Sequence, residues 1–80
     1  MTPKLTNAEY DGDYRIKVYF EDGTVGVIDM EQELWGEVFE PLKDLSKFQK
    51  FVFDSELQTI VWPSTGADLA PEFLYERAAA

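Results

Sequence analysis

Tyr14-Arg15-Ile16-Lys17-Val18-Tyr19-Phe20-Glu21-Asp22-Gly23-Thr24-Val25-Gly26-Val27-Ile28-Asp29-Met30 is the stretch that decides the fold. Tyr14, Ile16, Val18 and Phe20 alternate with Arg15, Lys17 and Tyr19, the period of two that sets one face of a strand on a core and the other in water. Glu21-Asp22-Gly23-Thr24 interrupts the run, and Gly23 can take positive φ without a Cβ clash, so the chain is expected to reverse there. Val25 to Met30 then resumes with β-favouring residues. The segment predicts a hairpin with Asp22-Gly23 at its tip and Phe20 buried.

Working outward, Leu5-Thr6-Asn7-Ala8-Glu9-Tyr10 is a candidate strand set off by the turn-rich Asp11-Gly12-Asp13. After the hairpin, Met30, Leu34 and Val38 fall near helical spacing, with Trp35 and Phe39 beside them and Glu31, Glu33, Glu37 and Glu40 between. That spacing predicts a short, irregular helix over residues 31–39, weakened by Gly36 and stopped or redirected by Pro41. Leu42, Leu45 and Phe48 suggest one or two further helical turns. Phe51-Val52-Phe53 and Thr59-Ile60-Val61-Trp62 predict a second hairpin, which Pro63 ends. Ser64 to Ala67 is expected to be a loop. A last short helix is expected from about Asp68, with Pro71 in its first turn and Glu72 at the positive end of its dipole.

The element order is therefore β-β-β, helical turns, β-β, helix. Hairpins dominate and no strand-helix-strand crossover is long enough to convince. The fold class is α+β: a small, mostly antiparallel sheet of about five strands in two hairpin groups, with short helices between them and at the carboxy end. Eighty residues support one core, so residues 1–80 are read as a single domain. Hydrophobic residues at 45% and aromatics at 15% are those of a globular chain. With no cysteine, stability must come from packing and hydrogen bonds, and the cytoplasm is the expected location. Met1 to Leu5 lacks the regions of a signal peptide, and no apolar run approaches the roughly 18 residues of a membrane helix, so no membrane association is expected.

Sixteen Asp and Glu against seven Lys and Arg give a formal charge of −9. A phosphate backbone is repelled by such a surface, and the few bases are scattered, so direct nucleic-acid binding is not expected. A basic partner suits the charge. Without His or Cys there is no Ser-His-acid or Cys-His arrangement and none of the nitrogen or sulfur ligands that zinc prefers. No glycine-rich phosphate loop or dinucleotide fingerprint is present. Asp11-Gly12-Asp13 resembles the start of a calcium loop but lacks its remaining ligands and closing Glu, so we read it as a turn. No catalytic residue, metal or cofactor is assigned.

Trp62-Pro63-Ser64-Thr65-Gly66-Ala67-Asp68-Leu69-Ala70-Pro71-Glu72-Phe73-Leu74-Tyr75-Glu76 resembles the closing signature of the domain of unknown function 2442 family. Tyr19-Phe20-Glu21-Asp22-Gly23-Thr24 is similar to that family's Phe-x-Asp-Gly hairpin, and Phe39-Glu40-Pro41-Leu42 with Phe48 to its middle segment. The resemblance covers roughly residues 3 to 76. It departs at Ser64-Thr65, where members often read Trp-Pro-Asn-Gly-Ala-Asp. The resemblance implies a small bacterial or phage-type α+β domain, sometimes fused to a helix-turn-helix and sometimes encoded near toxin-antitoxin-like genes, with no established reaction. With Ala80 closing the sequence, a stand-alone form without the helix-turn-helix is expected. Physically the signature is a set of folding instructions: Pro63 ends a strand, Gly66 permits a turn, Asp68 can accept amide hydrogen bonds near a helix start, and Leu69, Phe73 and Leu74 dock the helix.

We therefore expect a non-enzymatic, protein-binding accessory or antitoxin-like module. The alternatives are a phage-type inhibitor that mimics nucleic-acid charge and, more distantly, a small-molecule enzyme using carboxylates. The candidate partner-binding surface is Glu31, Glu33, Trp35, Glu37 and Glu40, with Trp35 as an apolar anchor for a basic protein. Against that stands the plainer expectation that Trp35 and Trp62 both pack in the core or at its edge, Trp35 being the more exposed of the two. A homodimer is left open.

Overall fold

Alternation along Ile16, Val18 and Phe20 makes one face of their strand apolar, and in a computed structural model describing residues 2–80 these three side chains are buried. Strand β1 (Leu5–Tyr10), β2 (Arg15–Phe20) and β3 (Val25–Asp29) form an antiparallel sheet in that order. The β2–β3 register runs unbroken from Arg15 opposite Asp29 to Tyr19 opposite Val25. At its tip Gly23 has φ +90°, Phe20 donates its amide to the Thr24 carbonyl at 2.9 Å, and Asp22 Oδ1 accepts the Thr24 amide at 2.9 Å. The β1–β2 register shifts between Leu5 and Asn7, so Thr6 is an extra residue whose hydroxyl donates to the Tyr19 carbonyl at 3.1 Å.

A second antiparallel sheet follows. It contains β4 (Val52–Asp54), β5 (Thr59–Trp62) and β6 (Ala67–Asp68), again in chain order. The architecture is thus α+β with six strands in two three-stranded sheets, where the sequence suggested about five. The added strand is β6. Expected as the end of a loop and the start of a helix, it pairs with β5 because the turn closes tightly: Thr65 and Gly66 both donate to the Trp62 carbonyl, at 3.2 and 2.9 Å, with Gly66 at φ +79°. Asp68 lies opposite Val61 and does not cap the helix. Helix α2 (Pro71–Ala79) begins after Ala70, which makes no side-chain cap.

The expected helix over 31–39 is absent as well. A 3-10 turn at Glu31–Glu33 and another at Glu40–Lys43 flank a reversal at Gly36, whose φ of +91° no right-handed helix contains. The turns lead into α1 (Leu45–Phe48), where the Asp44 side chain accepts the Ser46 amide at 3.0 Å as an N-cap.

One core joins both sheets. Trp62, fully buried, donates its indole N–H to the Phe48 carbonyl at 2.7 Å and stands 5.7 Å from the Phe48 ring. Tyr14 and Phe51 meet Phe48 edge-on, and Leu34, Leu42, Ile60, Leu69 and Leu74 complete the packing. Helix α2 lies chiefly along β3. An ideal Cβ at Gly26 would stand 2.6 Å from the Ala78 carbonyl oxygen, so only glycine permits this approach. Tyr75 ties the helix to the hairpin tip by donating its hydroxyl to Asp22 Oδ2 at 2.7 Å. Among the described residues no helix is long and apolar enough to cross a membrane.

Candidate functional site

The segment leaving β3 builds one side of a concave surface. Asp29 Oδ1 accepts the Glu31 amide at 2.9 Å, which turns the chain off the sheet edge. Met30 and Leu34 point into the core, Glu33 donates its amide to the Met30 carbonyl at 2.9 Å, and Trp35 donates to the Glu33 carbonyl at 3.0 Å. Gly36 then reverses the chain, and Glu40 donates to its carbonyl at 2.9 Å. Two neighbouring apolar residues part company here: Leu34 is buried, and Trp35 is left 71% exposed. The expectation of core or core-edge packing thus holds for Trp62 and fails for Trp35. The physical reason is the tight 3-10 geometry followed by the left-handed glycine, which directs successive side chains to opposite sides.

Trp35 forms a wall of an open groove of about 280 Å³, whose other lining residues are Met30, Glu33, Phe39, Leu69 and Phe73. Helix α2 supplies the opposite wall. Its Arg77 is ion-paired with Glu33 at 2.7 Å while the guanidinium lies 4.5 Å over the Phe73 ring, so one residue contacts two of the side chains that line the groove. Such a partly exposed pair contributes only about 0–1 kcal/mol to stability, and an approaching cation can exchange into it at little cost.

Of the residues singled out from the sequence, Glu33 and Trp35 meet at this groove. Glu31, Glu37 and Glu40 are exposed and do not line it. They belong to a wholly acidic run: Glu21, Asp22, Asp29, Glu31, Glu33, Glu37 and Glu40 fall between Val18 and Leu42, which contains no Lys or Arg. Met30, Phe39, Leu69, Phe73 and Arg77 were not singled out as site residues. The signal for two of them was present, because an aromatic and an arginine at i and i+4 share one face of α2.

The groove has a single ionisable lining side chain, Glu33, and that carboxylate is held by Arg77. It can therefore take up an apolar group, with its one carboxylate already paired to a cation. Among the described residues no cluster of three or more potential metal ligands occurs. Asp11 and Asp13 both face Arg15, at 3.6 and 3.4 Å, within a turn.

The chain belongs to the family described as protein of unknown function (DUF2442), whose model matches residues 5–80. No curated protein and no solved structure gives a significant match.

Proposed function

We propose that this member of the DUF2442 family is a non-catalytic protein-binding module, of accessory or antitoxin-like type, whose groove receives an apolar side chain from a basic partner. The observation that carries this is Trp35, 71% exposed and lining one wall of an apolar groove. Large exposed aromatics at concave sites are the residues on which interface energy concentrates. At about 280 Å³ the groove has room for one or two apolar side chains. The acidic run beside it would steer a basic partner and make association slow as salt rises. A nucleic-acid mimic would present carboxylates at its binding face, and the apolar lining favours protein association over that alternative. Cysteine-free composition is in keeping with a reducing compartment such as the cytoplasm.

Trp35→Ala tests the proposal. The side chain is mostly in water, so the variant should fold with stability within about 0.5 kcal/mol of the parent. Capture of host partners, identified by mass spectrometry and re-measured with the purified partner, should weaken by more than tenfold. A folded variant that captures the same partner undiminished would eliminate the groove as the binding site.

A further inference from the structure

Sheet edges are where proteins protect themselves against added strands. Here β6 has two residues and β4 three, which leaves little to pair, while β1 carries the irregularity at Thr6 and is approached by β4. The edge at β3 differs. Its five residues, Val25-Gly26-Val27-Ile28-Asp29, run in unbroken register and contain no lysine, proline or bulge.

The hydrogen-bond phase along β3 is fixed at both ends. Phe20 donates to Thr24 and Met30 donates to Tyr14, at 2.9 and 2.7 Å. Backbone groups in an antiparallel ladder alternate sides residue by residue, so Thr24, Gly26, Ile28 and Met30 turn theirs to β2. Val25, Val27 and Asp29 turn theirs outward, and no hydrogen bond of a turn, loop or side chain reaches those amides and carbonyls among the described residues. Val25 and Val27 are also 49% and 46% exposed.

We propose that the β3 edge accepts an extended, basic segment of the partner by strand addition, main chain to main chain, with alternate side chains against Val25 and Val27. This rests on the protein-binding reading above and specifies how the partner is held. Two observations select the occupant. Across the ladder Arg15 faces Asp29 and Lys17 faces Val27, but Glu21, Asp22, Asp29, Glu31 and Glu33 at and beyond the ends of the strand outnumber these two bases and the chain carries −9 overall, so a second copy is repelled where a basic segment is attracted. The strand also leads directly into Met30 and the groove, so one continuous segment can pair with β3 and seat an apolar side chain beside Trp35. Main-chain bonds would supply affinity and the groove specificity.

The test uses capped peptides of alternating lysine and valine, about ten residues long with a leucine at one end, enough to span the strand and reach beyond it. Binding is followed by fluorescence titration and by amide exchange of the labelled chain. The amides of Val25, Val27 and Asp29 should become protected by at least tenfold on binding. Val27→Pro removes an outward N–H while sparing the β2 ladder, a place where edge strands tolerate proline. It should weaken the peptide at least tenfold with the Ile16, Val18 and Ile28 amides still protected. Val27→Lys, which keeps the backbone donor but repels a basic segment, should weaken it too. Trp35→Ala should lower affinity while leaving the edge amides protected in the bound state. Peptides that bind in a Trp35-dependent way, without edge protection and with unchanged affinity for Val27→Pro, would overturn strand addition and leave the groove standing. Edge protection indifferent to Trp35→Ala would sink the groove and keep the edge. Failure of every peptide to bind would reject both. Protection that appears with the chain alone, together with a dimer in sedimentation, would make a second copy the occupant and refute the proposal.

Discussion

Replacing Gly26 by Ala should destabilise the protein, although strand propensity alone gives the opposite sign. Glycine inside a strand is worse than alanine by roughly 0.5–1 kcal/mol, so on that ground the change would stabilise. In the fold, the new Cβ would lie 2.6 Å from the carbonyl oxygen of Ala78, 2.8 Å from its Cα and 2.9 Å from its Cβ. Carbon contacts sit comfortably at about 3.5–4.0 Å, so the end of α2 must retreat by roughly 1 Å. Two of the three obstructing atoms are backbone and cannot rotate away. Overpacking of this kind costs about 1–3 kcal/mol, and subtracting the propensity gain from the middle of that range leaves a net loss of about 1 kcal/mol. In a domain of this size that lowers the melting temperature by about 4–8 °C per kcal/mol. Urea unfolding of Gly26→Ala, in the full chain and in a chain ending at Arg77, measures it. Removing Ala78 removes the obstacle, so in the shortened chain the same substitution should be neutral or stabilising. The two backgrounds then differ through a coupling between strand and helix end. A full-length variant as stable as the parent would refute the close approach, and an equal loss in both backgrounds would show that Ala78 is not what the Cβ meets.

Two further outcomes follow from particular contacts. Trp62→Phe removes the indole donor and leaves the buried Phe48 carbonyl unpaired, which together with the lost volume should cost about 2–4 kcal/mol in denaturant titration; unchanged stability would contradict the buried hydrogen bond. The Asp22 carboxyl is held below its ordinary value of 3.8 by the Thr24 amide first and the Tyr75 hydroxyl second, and Asp44 is held down by the Ser46 hydroxyl and amide. A depressed carboxylate contributes stability that is complete above its unfolded value and is lost as pH falls through the folded one. The urea midpoint should therefore decline below about pH 3.8, and Asp22→Asn with Asp44→Asn should flatten that decline. An acid limb unchanged in the double variant would remove these two groups from its cause.

The candidate site was half legible in the chain. Glu33 and Trp35 stand out as an acid and a large aromatic near Gly36, but Arg77 is 44 residues from Glu33, and only packing of α2 brings the two together. Nor did hydrophobicity separate Leu34 from Trp35. Both are apolar, and the spacing of Met30, Leu34 and Val38 fits a helix that would have turned them to neighbouring faces. Gly36 at φ +91° ends that option, and Val38 finishes 44% exposed.

By itself the sequence determined the strands β1 to β5, the Asp22-Gly23 reversal, the burial of Phe20 and Trp62 and the closing helix, because period-two patterning and glycine's access to positive φ act over a few neighbouring residues. The tertiary structure alone decided the division into two sheets, the pairing of the two-residue β6, the outward turn of Trp35 and the free edge at β3. A two-residue strand has no period to read, and whether a strand lies at an edge depends on which partner it lacks. Exposure of an aromatic is likewise settled by what the rest of the chain leaves uncovered. Local preference cannot fix any of these, since each is set by contacts between residues far apart in the chain.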